Sequence, residues 1–188
     1  MIDKNINDYV KVYDNILEKE LCNAAVNSLS KEEIWQDHYY HNNTTDERVT
    51  FKDDLQMSWN DIPQKQDIQN RLYTAIEQYI IHDLHCDWFA GWRGYSPIRF
   101  NRYKENKKMN LHCDHIHDLF GPGINGIPIL SIVGELNSDY KGGEFIMWDT
   151  VIKIPAGSVL IFPSNFMYPH KVNPVTSGAR YSYVSWVY

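Results

Sequence analysis

A chain of 188 residues with 43% hydrophobic and 22% charged side chains has the size of one compact domain and enough apolar material for a core, which excludes a disordered chain. The formal charge of −6 argues against the basic face that phosphate-backbone binders need, so a neutral or basic peptide is a more natural partner than nucleic acid. No apolar run reaches the length of a membrane span and Met1-Ile2-Asp3-Lys4-Asn5 does not begin a signal peptide. The three cysteines, Cys22, Cys86 and Cys113, form no CxxC and leave one over in any disulfide scheme, so a reducing, cytoplasmic location is expected.

Tyr9 to Tyr13 alternates like a short strand, and Glu18 to Leu29 carries Leu21, Ala25 and Leu29 at helical spacing. From Gln36 to Asn60 the composition turns polar and aromatic, with two overlapping sequons at Asn42 and Asn43 and a tryptophan near each end, Trp35 and Trp59. This is expected to be a long connection, either a lid over substrate or a solvated loop anchored by the two tryptophans. Gln64 to His85 predicts the longest helix, with Ile68, Leu72, Ile76, Tyr79 and Ile80 on one stripe. His82 and His85, three apart near its end, suit the helix dipole better than a metal.

After Pro97 the pattern changes. Ile98 to Lys104, Ile127 to Leu136, Glu144 to Trp148, Val151 to Ile154, Val159 to Pro163, His170 to Asn173 and Arg180 to Tyr188 are strand-like and separated by Gly- and Pro-rich turns. The expected fold class is α+β, with N-terminal supporting helices and a C-terminal antiparallel sandwich or jelly roll. One domain is expected over 1–188, with 1–95 holding the helices, strand and lid-like loop and 96–188 the jelly-roll core.

Two His-Cys-Asp tripeptides occur, His85-Cys86-Asp87 and His112-Cys113-Asp114, where chance alone predicts roughly one His-x-acid pair. The first closes a helix and runs into Trp88-Phe89-Ala90-Gly91-Trp92, which suits a packed turn. The second is followed far downstream by His170, completing the ligand set of a 2-His-1-carboxylate iron(II) site with one open face. On an extended segment His112 and Asp114 leave by the same side, whereas His115 leaves by the other, so His115 and His117 are expected to be polar flank residues. Arg180 and Ser182 share one face of the last strand as a fork suited to a carboxylate. If His170 and Arg180 lie on neighbouring strands, a keto-diacid spans from metal to fork.

Arg102-Tyr103, His112-x-Asp114, Leu136-Asn137 with Tyr140-x-Gly142-Gly143-Glu144-Phe145, Gly157-x-x-x-x-Phe162-Pro163-Ser164, Pro169-His170-x-Val172-x-Pro174-Val175 and Gly178-x-Arg180-Tyr181-Ser182 together resemble the iron(II)/2-oxoglutarate dioxygenases of the prolyl hydroxylase type. The resemblance covers most of 98–188, with a less specific likeness over Tyr9 to Leu29. It implies a double-stranded β-helix (jelly roll). Iron(II) would be held by His112, Asp114 and His170, and the distal carboxylate of 2-oxoglutarate by Arg180, with hydrogen bonds from Ser182 and Tyr103. Trp186 matches an aromatic that walls the pocket in the family, a place a core tryptophan fills equally well. The implied reaction is hydroxylation of an unactivated C–H, above all of a peptidyl proline, using O2, releasing succinate and carbon dioxide, with ascorbate as reductant.

Two departures bear on this. Arg180 stands where collagen-type members commonly use lysine, which places the chain nearer the oxygen-sensing, bacterial and viral branches. Glu135 stands where many members carry a tyrosine that binds cosubstrate, and unless it points elsewhere or is protonated it repels a dicarboxylate. The retained Asp114 argues against halogenation. Arg99 and Asn101 alternate with Tyr103 and are candidates to line the pocket. Trp148 and Tyr168 suit either a substrate platform or the core, and Asp118 is a candidate partner for a ligating histidine. Other readings are hydroxylation of another protein residue, a free amino acid or a small metabolite, a metal-binding jelly roll without turnover, and a carbohydrate-binding or structural sandwich.

Overall fold

The structure, a computed structural model, describes residues 5–42, 47–86, 94–114 and 128–188. Asn5 starts the described chain with a capping box: its side chain accepts from the Asn7 N–H at 3.1 Å while Asp8 accepts from the Asn5 N–H at 2.9 Å. That closes a 3-10 turn over Ile6–Tyr9, so strand β1 is only Lys11–Tyr13, shorter than the alternation predicts. Helix α1 (Lys19–Leu29) buries Cys22, Ala25 and Leu29, one face at i, i+3 and i+7. Helix α2 (Lys65–Glu77) buries Ile68, Leu72, Ala75 and Ile76 and continues as a π-helical turn over Gln78–Asp83. The expected extent and stripe of this helix are therefore observed, with the last six residues underwound into the wider i→i+5 hydrogen-bond pattern. None of the described helices is long and apolar enough to cross a membrane.

Between the helices lie β2 (Gln36–Asp37), β3 (Tyr40–Asn42), β4 (Glu47–Val49) and β5 (Gln56–Ser58). The long connection expected over Gln36 to Asn60 thus carries four short strands. β5 adds to the main sheet, β2 pairs with β5 as that sheet's edge strand, and β3 pairs with β4. His38 and Asp54 are buried, 3.7 Å apart, and Leu55 and Met57 point into the core. Strands of two or three residues are too short to show a period of two in sequence.

The remaining strands are β6 (Arg99–Tyr103), β7 (Met109–His112), β8 (Leu130–Glu135), β9 (Lys141–Gly142), β10 (Phe145–Met147), β11 (Thr150–Ile152), β12 (Val159–Pro163), β13 (His170–Val172), β14 (Val175–Ser177) and β15 (Arg180–Val187). A seven-stranded antiparallel sheet runs β1-β12-β8-β15-β6-β5-β2 and faces a four-stranded one, β11-β10-β13-β7. The result is an α+β fold with a jelly-roll core. α1 and α2 cover the outer face of the large sheet, packing Ala25, Leu29, Leu72 and Ile76 against Ile98, Phe100, Ile132 and Tyr183. Each fully buried Leu or Ile there contributes about 1.5–3 kcal/mol. The space between the sheets holds Met57, Tyr103, Val133 and Phe162 from the large sheet and Met109, Phe145, Met147 and Val172 from the small one. Because both faces of β8 are covered, all six of its residues are buried. A Cβ at Gly134 would fall inside the Tyr183 ring, so only glycine lets that ring cross the strand toward the helices.

His170 and Arg180 are not on neighbouring strands, a second correction. His170 is on β13 of the small sheet and Arg180 on β15 of the large one. The strands beside β13 are β10 and β7, and the Met-Asn-Leu-His sequence of β7 has no apolar alternation because Leu111 is turned out to 63% exposure.

Candidate metal centre and its cavity

Pairing of β7 with β13 sets His112 directly opposite His170, with ring centroids 4.3 Å apart. Asp114 follows just past the end of β7 and brings a carboxylate oxygen to 3.7 Å from His112 Nε2. The three donor atoms lie within 4.8 Å of one another, the one such group of His, Cys and acidic residues that could hold a metal among the described residues. His85, from the duplicate tripeptide, is not in it. It lies two residues past the end of the π turn in a left-handed conformation with φ +52°, and Asp87 lies outside the described residues, as do His115, His117 and Asp118.

Both imidazoles are set for metal binding by their backbone partners. His112 Nδ1 lies 2.8 Å from the Asn110 carbonyl and His170 Nδ1 lies 3.0 Å from the Tyr168 carbonyl. A carbonyl only accepts, so each Nδ1 carries the proton and each Nε2 presents a lone pair to the centre. Burial, and then the neighbouring His170, push the His112 pKa down to about 4, which keeps this ring neutral. The carboxylate is held the same way: Ser131 Oγ and Trp186 Nε1, the latter at 3.1 Å, both donate to Asp114 Oδ2. Ser131 Oγ is in turn 2.7 Å from Ser164 Oγ. Two imidazoles that turn Nε2 inward and one oriented carboxylate on one face fit a first-row divalent metal such as iron(II).

Ser131 is the residue that sequence reading missed. Its signal was a single hydroxyl inside the apolar run Leu-Ser-Ile-Val, since a buried hydroxyl needs a partner. Trp186, expected as a wall, does line the cavity and also holds the carboxylate through its N–H. Trp186→Phe keeps the ring and removes the donor, and is expected to weaken Mn(II) binding about 10-fold. Calorimetric titration checks this, and an affinity within twofold of the parent protein refutes it.

The cavity beside these ligands is lined by Arg99, Asn101, Tyr103, Arg180, Ser182 and Trp186 together with apolar side chains, and encloses about 40 Å³. The structure therefore brings Arg180, Ser182, Tyr103, Arg99 and Trp186 into one space with the triad. Trp148 does not reach it: it sits on the turn between β10 and β11 with its indole N–H bonded to the Met167 carbonyl at 2.9 Å and its ring against Tyr168. Tyr168 is buried, with its hydroxyl on the Ile6 carbonyl.

The fork differs from the expectation. Arg180 donates from Nε and Nη2 to one oxygen of Glu135, at 2.9 and 2.6 Å, and both side chains are at most 2% exposed. Tyr103 lies under the guanidinium, 5.0 Å from its ring centroid, and the Tyr140 phenol lies close enough to be influenced by the charges of the same pair. Burial pushes the Glu135 carboxyl up to about 7 against the pull of Arg180. Glu135 thus points at the fork itself. A second carboxylate brought to Arg180 meets it where like charges are poorly screened, so 2-oxoglutarate does not fit this fork as folded.

Residues 98–188 match the family model described as the 2OG-Fe(II) oxygenase superfamily. The chain is similar to a PKHD-type hydroxylase of Janthinobacterium sp. (strain Marseille), 35% identical over 100 residues that cover 50% of this chain and 43% of that protein. A PKHD-type hydroxylase of Xylella fastidiosa (strain M12) is 37% identical over 102 residues, covering 48% of this chain and 44% of that protein. The chain thus spans less than half the length of these curated relatives. In fold it is similar to the viral collagen prolyl hydroxylase of Paramecium Bursaria Chlorella virus-1, with a TM-score of 0.66 at 15% identity over 95% of this chain and 94% of that one. A prolyl-4-hydroxylase of Pseudomonas putida gives 0.65 at 19% identity over 95% and 91%. A Trichoplax adhaerens prolyl hydroxylase, solved with a hypoxia inducible factor peptide, gives 0.69 at 16% over 96% and 84%.

Proposed function

Through residues 98–188 this chain belongs to the 2OG-Fe(II) oxygenase superfamily, and from that premise we propose that it hydroxylates an unactivated C–H bond of a peptidyl proline, using iron(II), O2 and a 2-oxo acid. The observation that carries this reading is the convergence of His112 Nε2, His170 Nε2 and the Asp114 carboxylate, each fixed by its own hydrogen-bond partner. Bound iron(II) supplies the redox chemistry: one atom of O2 enters the C–H bond and the other converts the 2-oxo acid to carbon dioxide and the acid one carbon shorter, succinate in the case of 2-oxoglutarate.

The chain's own residues do the rest. His112 and His170 hold the metal from neighbouring strands, and Ser131 and Trp186 stop the Asp114 carboxylate from rotating. Leu55, Val133 and Val184 wall the cavity, limiting water near the metal. Residues 1–95 and 96–188 work as one unit in this reading, because Leu55 comes from the first stretch and the ligands from the second. A proline-containing peptide is supported by the prolyl hydroxylases that share the fold and by a net charge of −6, which favours a neutral or basic guest.

The test is mass spectrometry on proline-containing peptides incubated with protein, iron(II), ascorbate and either 2-oxoglutarate or pyruvate. A one-oxygen gain on proline is expected. Oxygen gain on another residue, or consumption of the 2-oxo acid stimulated only by a free amino acid, overturns the proline assignment.

A further inference from the structure

Along the inner face of β15, Trp186, Val184, Ser182 and Arg180 follow one another away from the metal. Trp186 holds Asp114, and Arg180, six residues back along the strand, marks the far end, roughly 20 Å along the backbone. On β8 their cross-strand partners are Ser131 opposite Trp186, Val133 opposite Val184 and Glu135 opposite Ser182. Glu135 therefore stands in the same inward-facing row as the fork, and its oxygen lies on both donors of Arg180.

We propose that this oxygenase selects a 2-oxo monocarboxylic acid with a short uncharged tail, the class of pyruvate and 2-oxobutyrate, because Glu135 already occupies the seat on Arg180 that a distal carboxylate would take. The proposal rests on the oxygenase reading above and narrows it. Three features of the cavity agree. Its charges are uneven: the far cation is cancelled by Glu135, whereas Arg99, stacked 5.4 Å over the Trp186 ring at the metal end, bonds only the Asn101 amide oxygen at 3.2 Å and has no carboxylate within ion-pair distance among the described residues. An acid whose single carboxylate lies at the metal end meets that arrangement. Between the two ends the walls are Leu55, Met109, Val133, Phe145, Val172 and Val184, which suit an uncharged tail and leave a second charge unsolvated. The buried Ser182 hydroxyl has no hydrogen-bond partner among the described residues, and it is an uncharged group with a single proton to donate at the tail end.

The experiment is anaerobic calorimetry on the full chain, titrated first with Mn(II) and then, once loaded, with pyruvate, 2-oxobutyrate and 2-oxoglutarate at pH 7.5. The same series is run on Glu135→Gln, with thermal melting as a fold check. The parent protein is expected to bind at least one monoacid tenfold or more tighter than 2-oxoglutarate. In Glu135→Gln, binding of 2-oxoglutarate is expected to tighten at least tenfold while the monoacids move less than threefold. If the parent protein binds 2-oxoglutarate more tightly than both monoacids, or binds none of the three while Mn(II) binds, the proposal is overturned and the metal site stands. Failure to bind Mn(II) overturns the oxygenase reading and this proposal with it. Should Glu135→Gln not fold, the ranking of the three acids on the parent protein decides alone.

Discussion

Asp114→Ala is expected to abolish turnover and to weaken Mn(II) binding at least ~100-fold, while Asp87→Ala leaves both within twofold of the parent protein. The magnitude follows from what Asp114 does: partners that merely orient a ligand are worth 10–100-fold in metal affinity, and Asp114 is itself the carboxylate of the triad. Its loss also strands the Ser131 hydroxyl and the Trp186 N–H, both of which donate to it. The comparison is informative because the two tripeptides are identical as His-Cys-Asp and differ only in where they fall. One ends a helix, and the other leaves a strand whose neighbour carries His170. Calorimetry and peptide hydroxylation measure the two properties separately. Loss of metal through Asp87 with retention through Asp114 would move the centre to the other end of the chain.

The second large effect is on stability. Arg180→Met removes the only ion-pair partner of Glu135 among the described residues and leaves a carboxyl buried at 1% exposure. Breaking a buried pair from one side costs about 3–5 kcal/mol, whereas replacing both members with apolar residues is often neutral. Urea denaturation should therefore show Arg180→Met destabilised by that amount and Glu135→Leu/Arg180→Met recovering most of it. The pH dependence has a definite sign. Burial already holds the Glu135 carboxyl above its usual 4.5, at about 7, and without Arg180 it rises further. The folded chain then keeps a proton that the unfolded chain releases near 4.5. The stability this contributes is fully present below the unfolded value and is lost as pH rises through the folded one. Arg180→Met should accordingly approach the parent protein at pH 5 and diverge from it at pH 8. Equal stability of the single and double variants at pH 8 would mean that Arg180 does not offset the burial of the Glu135 carboxylate.

Short-range features were legible where one pattern persists over several residues. The stripe Ile68, Leu72, Ile76, Tyr79 and Ile80 marked the long helix, and the run from Val159 to Pro163 marked a strand. Legibility failed where an element is only two to four residues long, as at β2, β5 and β7, since pairing with a distant strand and not local periodicity makes those segments extended. The same reason hid Ser131, whose role depends on a carboxylate 17 positions earlier, and the contact of the Trp186 N–H with Asp114, which adds to its place in the cavity wall.

By itself the sequence determined the α+β class and the choice of His112, Asp114 and His170, because residue type, spacing and order along the chain are one-dimensional quantities. Tertiary structure alone decided that His170 and Arg180 face each other from opposite sheets, that Trp148 stays outside the cavity, and that Arg180 is held by Glu135. That last contact joins side chains 45 positions apart on adjacent strands. Whether a buried carboxylate repels a guest or seats itself on the nearest guanidinium depends on strand register, which no local pattern encodes.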